Sequence, residues 1–137
     1  MTITKDKFDD IMKALEPTIN QALFLSGNEI KNAAKSKFKK AVVVGLTSSG
    51  KKKYKNPQPL NTIHDRTGFL RISIQASDPK DFQITVGTPL NYGLYNELGG
   101  ANLPARPFMK PSAYENIPKI NKIFTTLLND KIKAVVQ

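Results

Sequence analysis

The sequence contains one literal phosphate-loop pattern. Residues 45–51 read GLTSSGK, which matches G-x-x-x-x-G-K, and the strand-like residues 42–44 precede them. In a P-loop, backbone N–H groups surround the phosphates, and a helix with a Ser/Thr hydroxyl for Mg²⁺ follows. Here Lys52 stands at the Ser/Thr position, and Pro57 and Pro59 lie where that helix would run. The pattern therefore favours a flexible Gly/Ser/Lys loop over a nucleotide site.

Other groups capable of catalysis are sparse. The single histidine, His64, lies beside Asp65, but no G-x-S-x-G elbow is present to supply a serine nucleophile. The absence of cysteine excludes thiol catalysis, disulfides and Cys-based metal centres, and a lone histidine excludes multi-histidine sites. No two acidic residues mark a common cleft for acid–base work. We expect no enzymatic activity, no cofactor and no metal.

The positive charge of the chain is concentrated in one segment. The formal net charge is +10, yet residues outside 31–55 carry 12 basic and 11 acidic groups. Residues 31–55 contain no acid, and their nine basic residues are Lys31, Lys35, Lys37, Lys39, Lys40, Lys51, Lys52, Lys53 and Lys55. Arginine is the usual choice for bidentate recognition of phosphate or bases, so an all-lysine set favours non-specific electrostatics.

Part of this segment resembles a nucleic-acid contact. Lys51, Lys52, Lys53 and Lys55 flank Tyr54, so the amines could contact phosphates while the ring stacks on a base. An acidic protein partner would suit the same cations, and a solvated loop explains them equally well. We therefore take these four lysines as candidates for contact with DNA or an acidic partner.

The organisation of the first half predicts helix followed by loop. With 137 residues, the chain is long enough for one domain, 1–137, with its own core. Residues 4–44 show mostly helical spacing after Thr4, a candidate N-cap, and Pro17 either kinks this helix or begins a second one. Residues 45–61 are rich in Gly, Ser, Lys and Pro, which predicts a long flexible basic loop.

The second half predicts a small sheet and a final helix. Apolar and polar residues alternate over 72–76 and 82–86 around a turn signal at 77–81, which predicts an antiparallel hairpin within a β-rich segment 67–111. Residues 112–135 return to helical spacing, with Pro118 near the first turn. The chain is thus expected to be α+β, with a small antiparallel sheet packed against N-terminal and C-terminal helices.

The segment 91–113 combines aromatic residues with Gly and Pro. The Gly99-Gly100 pair permits positive φ. A Glu97–Arg106 ion pair would fix this segment, because an unpaired buried charge is costly, although independent surface placement is an equal alternative. Phe108, between Pro107 and Met109, is suited to the core or to a neighbouring subunit.

Three pieces of the sequence carry a family resemblance when taken in order. They are TGFLRISI at 67–74, YGLYNELG at 92–99 and PARPFMKP at 104–111. This series resembles the neck or tail-completion proteins of long-tailed bacteriophages, with the densest similarity over 65–113. Gly100 stands where that family usually has Thr or Ser, and the lysine loop 45–61 lies outside the similarity.

The resemblance implies a structural virion protein without catalytic activity. Such proteins form a ring that joins the DNA-filled head to the tail, next to head-closure and tail-tube or terminator proteins, and are assembled in the host cytoplasm. Head-to-tail rings use two different patches on each subunit. We expect segment 91–111 in one patch, and the basic residues in the other or facing DNA in the channel. The candidate interface residues are Tyr92, Tyr95, Glu97, Arg106 and Phe108.

Two further expectations complete the sequence analysis. No apolar stretch approaches the roughly 18 residues of a membrane-spanning helix, and the N-terminal residues lack the apolar core of a signal peptide, so no membrane association is expected. The alternative function is a basic nucleic-acid-binding accessory protein, in which the lysine segment would be the active surface.

Overall fold

The computed structural model describes residues 2–40, 42–54, 63–65 and 67–136, and the α+β class predicted from the sequence is confirmed. The elements in chain order are α1 (Lys5–Ser36), β1 (Phe38–Lys40), β2 (Val43–Leu46), β3 (Lys52–Tyr54), β4 (Ile63–Asp65), α2 (Phe69–Ser73), β5 (Gln75–Ala76), β6 (Val86–Gly87), α3 (Asn91–Leu98), α4 (Met109–Glu115) and α5 (Ile117–Val136).

Helix α1 is a single helix of 32 residues. Thr4 caps it as predicted, since its Oγ1 accepts a hydrogen bond from the Lys7 N–H at 3.4 Å. Pro17 lies inside the helix and begins no second one. The helix stops at Ser36, and β1 and β2 follow at Phe38–Lys40 and Val43–Leu46. The prediction of a helical region through residue 44 was therefore too long, because the β-branched residues there favour extended backbone.

The described strands form three two-stranded sheets. β1 pairs with β4 in parallel, whereas β2 pairs with β3, and β5 with β6, in antiparallel orientation. The predicted hairpin around 77–81 exists, but its paired strands are shorter than the alternation suggested. Residues 69–73 form α2 instead of strand, because Gly68 at φ +81 turns the chain and its carbonyl accepts the Ile72 N–H.

Two other boundaries differ from the sequence-based prediction. Segment 67–111 is less β-rich than expected, since it contains α2 and α3, and its only named strands are β5 and β6. The C-terminal helical part begins earlier, at Met109, and Asn116 separates α4 from α5. Pro118 lies in the first turn of α5, as predicted, where a missing N–H removes no helical hydrogen bond.

The prediction of a structureless loop over 45–61 was wrong for its first part. Residues 45–46 belong to β2 and residues 52–54 form β3, so an antiparallel hairpin replaces the loop there. Residues 55–62 lie outside the described part of the chain. Valine at positions 43 and 44 and Leu46 have the side chains that strands favour, which explains why the hairpin forms.

The core lies where α1 meets the strands and the short helices. The buried residues that share this cluster are Ala34, Ile63, Leu70, Ile74 and Phe108. The Phe108 ring packs edge-to-face on Phe38, with 5.4 Å between the ring centroids and 71° between their planes. One aromatic side chain from the segment before α4 thus ties that segment to β1.

Helix α1 also contacts the C-terminal helices and the β5–β6 hairpin. Lys37 pairs with Glu115 at 2.7 Å, and Lys119 pairs with Glu29 at 2.8 Å, so two ion pairs link the C-terminal part of α1 to the junction of α4 and α5. At Gly27, a Cβ atom would lie 2.4 Å from Ile84 Cδ1, which shows how closely the hairpin approaches α1.

We predict that Phe108→Ala lowers the free energy of unfolding by about 3 to 5 kcal/mol, because a fully buried ring is lost and a cavity remains. Urea denaturation followed by circular dichroism measures this. Tyr95→Ala is the matched control, since Tyr95 is 56% exposed, and should change stability by less than about 0.5 kcal/mol. Equal effects of the two substitutions would contradict the core role of Phe108.

Candidate protein-interaction site

The five predicted interface residues lie on α3 and on the chain that leads into α4, but they have different roles. Tyr92 and Tyr95 are 43% and 56% exposed on α3. Phe108 is fully buried within its own chain, so its assignment to an interface was wrong. The reason is that the chain before α4 turns this ring inward onto Phe38.

Glu97 acts as a cap for helix α4. Its Oε2 accepts the N–H groups of Phe108 at 2.8 Å and Met109 at 3.0 Å, and its Oε1 accepts that of Lys110 at 2.9 Å. These are N–H groups at the start of α4, which have no partner within the helix. The positive end of the α4 helix dipole also stabilises the negative charge of this carboxylate.

This capping role was missed by the sequence analysis, which considered Glu97 only as a partner of Arg106. The proposed Glu97–Arg106 ion pair stays a prediction. The Arg106 N–H donates to the Asn96 carbonyl at 2.6 Å, so the two segments run side by side at this point. The residue that could have indicated this cap is Phe108, which occupies the N-cap position of α4. A phenylalanine side chain has no oxygen, so the acceptor for the first N–H groups of the helix must come from another residue.

Gly99 ends α3 with the positive φ that the sequence predicted, at +78°. A Cβ atom there would lie 3.0 Å from both the Ala105 nitrogen and the Leu103 oxygen. Backbone atoms cannot move aside as a flexible side chain can. Gly99 therefore permits the tight return of the chain from α3 toward α4.

The outer side of α3 is apolar and exposed. Leu94, Tyr95 and Leu98 are 59%, 56% and 70% exposed, and Leu103 in the following turn is 62% exposed. We call these four residues the α3 face. Such contiguous apolar surface is typical of protein–protein contacts. Sequence reasoning named Tyr95 alone, although the i, i+4 spacing of the two leucines was a readable helical signal.

A groove of about 290 Å³ lies beside the α3 face. Its mostly apolar lining includes Pro89, Leu90, Leu94 and Met109. The groove exists because α3 sits close to the core: at Gly93, a Cβ atom would lie 2.7 Å from Thr88 Cγ2. Face and groove together could bury the apolar side chains of a partner protein.

The phosphate-loop pattern forms a hairpin turn. The Gly50 N–H donates to the Thr47 carbonyl at 2.9 Å, and the Lys51 N–H donates to Thr47 Oγ1 at 3.1 Å. Strand β3 begins at Lys52, where a P-loop would begin its helix. The Thr47 N–H also donates to the Lys51 carbonyl at 2.7 Å, so three amides of the pattern are used within the turn, and the geometry is not that of a nucleotide site.

The remaining predicted residues are placed as follows. Lys51, Lys52 and Lys53 are exposed at the turn and on β3, while Lys55 lies outside the described residues. Asp65, considered beside His64 for catalysis, accepts a hydrogen bond from Arg71 Nε at 2.6 Å. Within the ranges that the structure describes, no cluster of three His, Cys, Asp or Glu residues could hold a metal ion.

The chain matches no model of a known protein family, no curated protein and no solved structure. Among the described helices, none is long and apolar enough to cross a membrane. Functional inference therefore depends on the motifs and on the geometry of the site.

We predict that Glu97→Gln lowers the free energy of unfolding by about 1 to 3 kcal/mol, because the amide offers one oxygen where the carboxylate offers two for three N–H donors. Thermal or urea unfolding measures this. In the control, Glu115→Gln removes the Lys37–Glu115 ion pair, in which the Glu115 side chain is 57% exposed. This substitution should lower the free energy of unfolding by about 1 kcal/mol or less. A smaller loss at Glu97 than at Glu115 would refute the capping role.

The adjacent glycines provide a second matched pair. Gly99→Ala should lower the free energy of unfolding by about 1 to 3 kcal/mol, because residue 99 has a positive φ and the added Cβ atom would lie 3.0 Å from backbone atoms. Gly100→Ala, where nothing lies within 4 Å of the added Cβ, should be close to neutral. The midpoints of urea denaturation compare the two variants, and similar midpoints would show that the turn at Gly99 is not constrained.

Proposed function

We propose that the chain is a non-enzymatic structural protein of the neck of a long-tailed bacteriophage, and that it helps to join the DNA-filled head to the tail. The observation that carries this proposal is the exposed apolar α3 face, which belongs to the segment in which the sequence resembles neck or tail-completion proteins. A protein that works through contacts with other proteins needs such a surface.

The residues that carry the resemblance have structural roles that support the proposal. Gly68 begins α2, Glu97 caps α4, Gly99 permits the turn after α3 and Phe108 fills the core. Together they hold α3 in place with Leu98 directed outward. The shared motif is therefore suited to presenting a surface.

In a closed ring, each subunit contacts its neighbour through two different surfaces. We propose the α3 face and its groove as one of these surfaces. The second surface lies elsewhere on the neighbouring copy, because the two patches of a head-to-tail contact differ. Head-closure and tail-tube or terminator proteins are the expected neighbours above and below the ring, and the assembled neck of the virion is the expected location.

The proposal predicts that Leu98→Asp strongly reduces head–tail joining. Leu98 is 70% exposed, so the substitution should leave the fold intact while it places a charge in the buried contact, at a cost of several kcal/mol. Purified variant is added to DNA-filled heads that lack this protein and to free tails, and infectious particles are counted. We expect a fall of at least about tenfold, which corresponds to about 1.4 kcal/mol.

Ile132→Asp is the matched control, since Ile132 is a 41% exposed apolar residue on α5, away from the α3 face. It should restore infectivity as well as the wild type does. Circular dichroism of both variants confirms that they are folded. If wild-type protein itself fails to restore infectivity, the neck function is wrong; if Leu98→Asp restores it fully, the α3 face is not the contact surface.

A further inference from the structure

The β2–β3 hairpin stands apart from the core. We call residues 43–54 the basic ribbon. Its two strands pack mainly on each other, and all four residues of β2 are exposed. A two-stranded ribbon that covers no core has no evident role in the stability of the fold. It lies outside the residues that carry the family resemblance.

Three consecutive lysines give the basic ribbon its charge. Lys51, Lys52 and Lys53 are exposed, and among the described residues no carboxylate lies within ion-pair distance of them. Lys37 and Lys119, by contrast, are paired with acids of neighbouring helices. Three adjacent lysines without a carboxylate partner thus lie together on the ribbon.

The ribbon also arranges its side chains by face. Leu46 lies opposite Lys52 and Gly45 lies opposite Lys53, so the first pair shares one face and the second pair shares the other. An irregularity between Val43 and Gly45 shifts the register there. Each face therefore presents a lysine, and one face adds an exposed aliphatic side chain.

We propose that the basic ribbon binds double-stranded DNA without sequence preference. A two-stranded β-ribbon fits the major groove, which is about 12 Å wide. The lysines contact phosphates and release counterions, and phosphate contacts carry no sequence information. All the cations are lysines, which suits backbone contact more than the bidentate reading of bases. This binding goes beyond the proposed neck function and does not depend on it.

A second copy of the chain is a poorer partner for the ribbon. Residues outside 31–55 are nearly neutral, with 12 basic and 11 acidic groups. Three of those acids, Glu29, Asp65 and Glu115, already accept hydrogen bonds from cationic side chains. The chain therefore offers no strongly acidic surface to match the ribbon, whereas DNA carries one negative charge per about 1.7 Å of helix.

The test measures DNA affinity as a function of salt. A fluorescein-labelled random-sequence duplex is titrated with the full chain at about 50 to 200 mM KCl, and anisotropy gives the binding constant. The variant carries Lys51→Gln, Lys52→Gln and Lys53→Gln. We expect the slope of log K against log salt to become shallower by about 2.7, which is 0.9 for each of three phosphate contacts.

The matched control removes the same charge from helix α5, with Lys122→Gln, Lys131→Gln and Lys133→Gln, and should leave the slope nearly unchanged. Equal losses in both triple variants, or no DNA binding at the lowest salt, would overturn the proposal. Competition by polyglutamate as strong as that by unlabelled duplex would also overturn it, in favour of an acidic protein partner.

The head-joining experiment separates this proposal from the neck function. A ribbon variant that has lost DNA binding but restores infectivity shows that DNA binding is not needed for joining. Wild-type protein that binds DNA through the ribbon but fails to restore infectivity leaves the DNA proposal standing and removes the neck function.

Discussion

The Glu97 carboxylate and the three N–H groups at the start of α4 form the contact on which the candidate site depends. Phe108 is fully buried immediately before that helix, and the hydrogen bonds of the Phe108 and Met109 N–H groups are partly buried. Buried N–H groups need acceptors, and Phe108 has no side-chain oxygen to supply one. A carboxylate from α3 meets this need, and it fixes the position of α3 relative to α4.

The outward direction of the α3 face follows from this constraint. Because Glu97 must point toward α4 and Gly93 must sit against Thr88, the side of the helix that carries Leu94 and Leu98 is left facing solvent. Ordinary packing would bury two leucines at i, i+4. Here the cap and the close approach at Gly93 use the inner side, so the apolar outer side is available for a partner.

The features that the sequence predicted correctly are local ones. The Thr4 cap, positive φ at Gly99 and the first-turn position of Pro118 each depend on one residue and its immediate neighbours. The antiparallel pairing of β5 and β6 was also predictable, since the two segments are close in sequence, although the tight turn lies at 80–83 and includes Phe82, which was predicted as strand.

The features that were missed need contacts between distant parts of the chain. Glu97 becomes a helix cap only when α3 meets α4, so no local pattern distinguishes it from a partner of Arg106. Phe108 becomes a core residue only when it meets Phe38 on β1, so no local pattern distinguishes it from an interface residue. The basic ribbon was missed for another reason. Its Gly, Ser and Lys composition indicates a loop, and cross-strand pairing outweighs that preference.

The distribution of charge agrees with this division of the molecule. Like charges repel, and the repulsion weakens beyond about 10 Å in 0.1 M salt. Lys37, which lies at the end of α1 next to the core, is paired with Glu115 and has an 18% exposed side chain. Lys51–Lys53 lie on a projecting hairpin, where water and counterions screen them. The fold thus neutralises Lys37 next to its core and leaves Lys51–Lys53 unpaired on a hairpin that a polyanion can reach, so the two groups of cations differ in both burial and pairing.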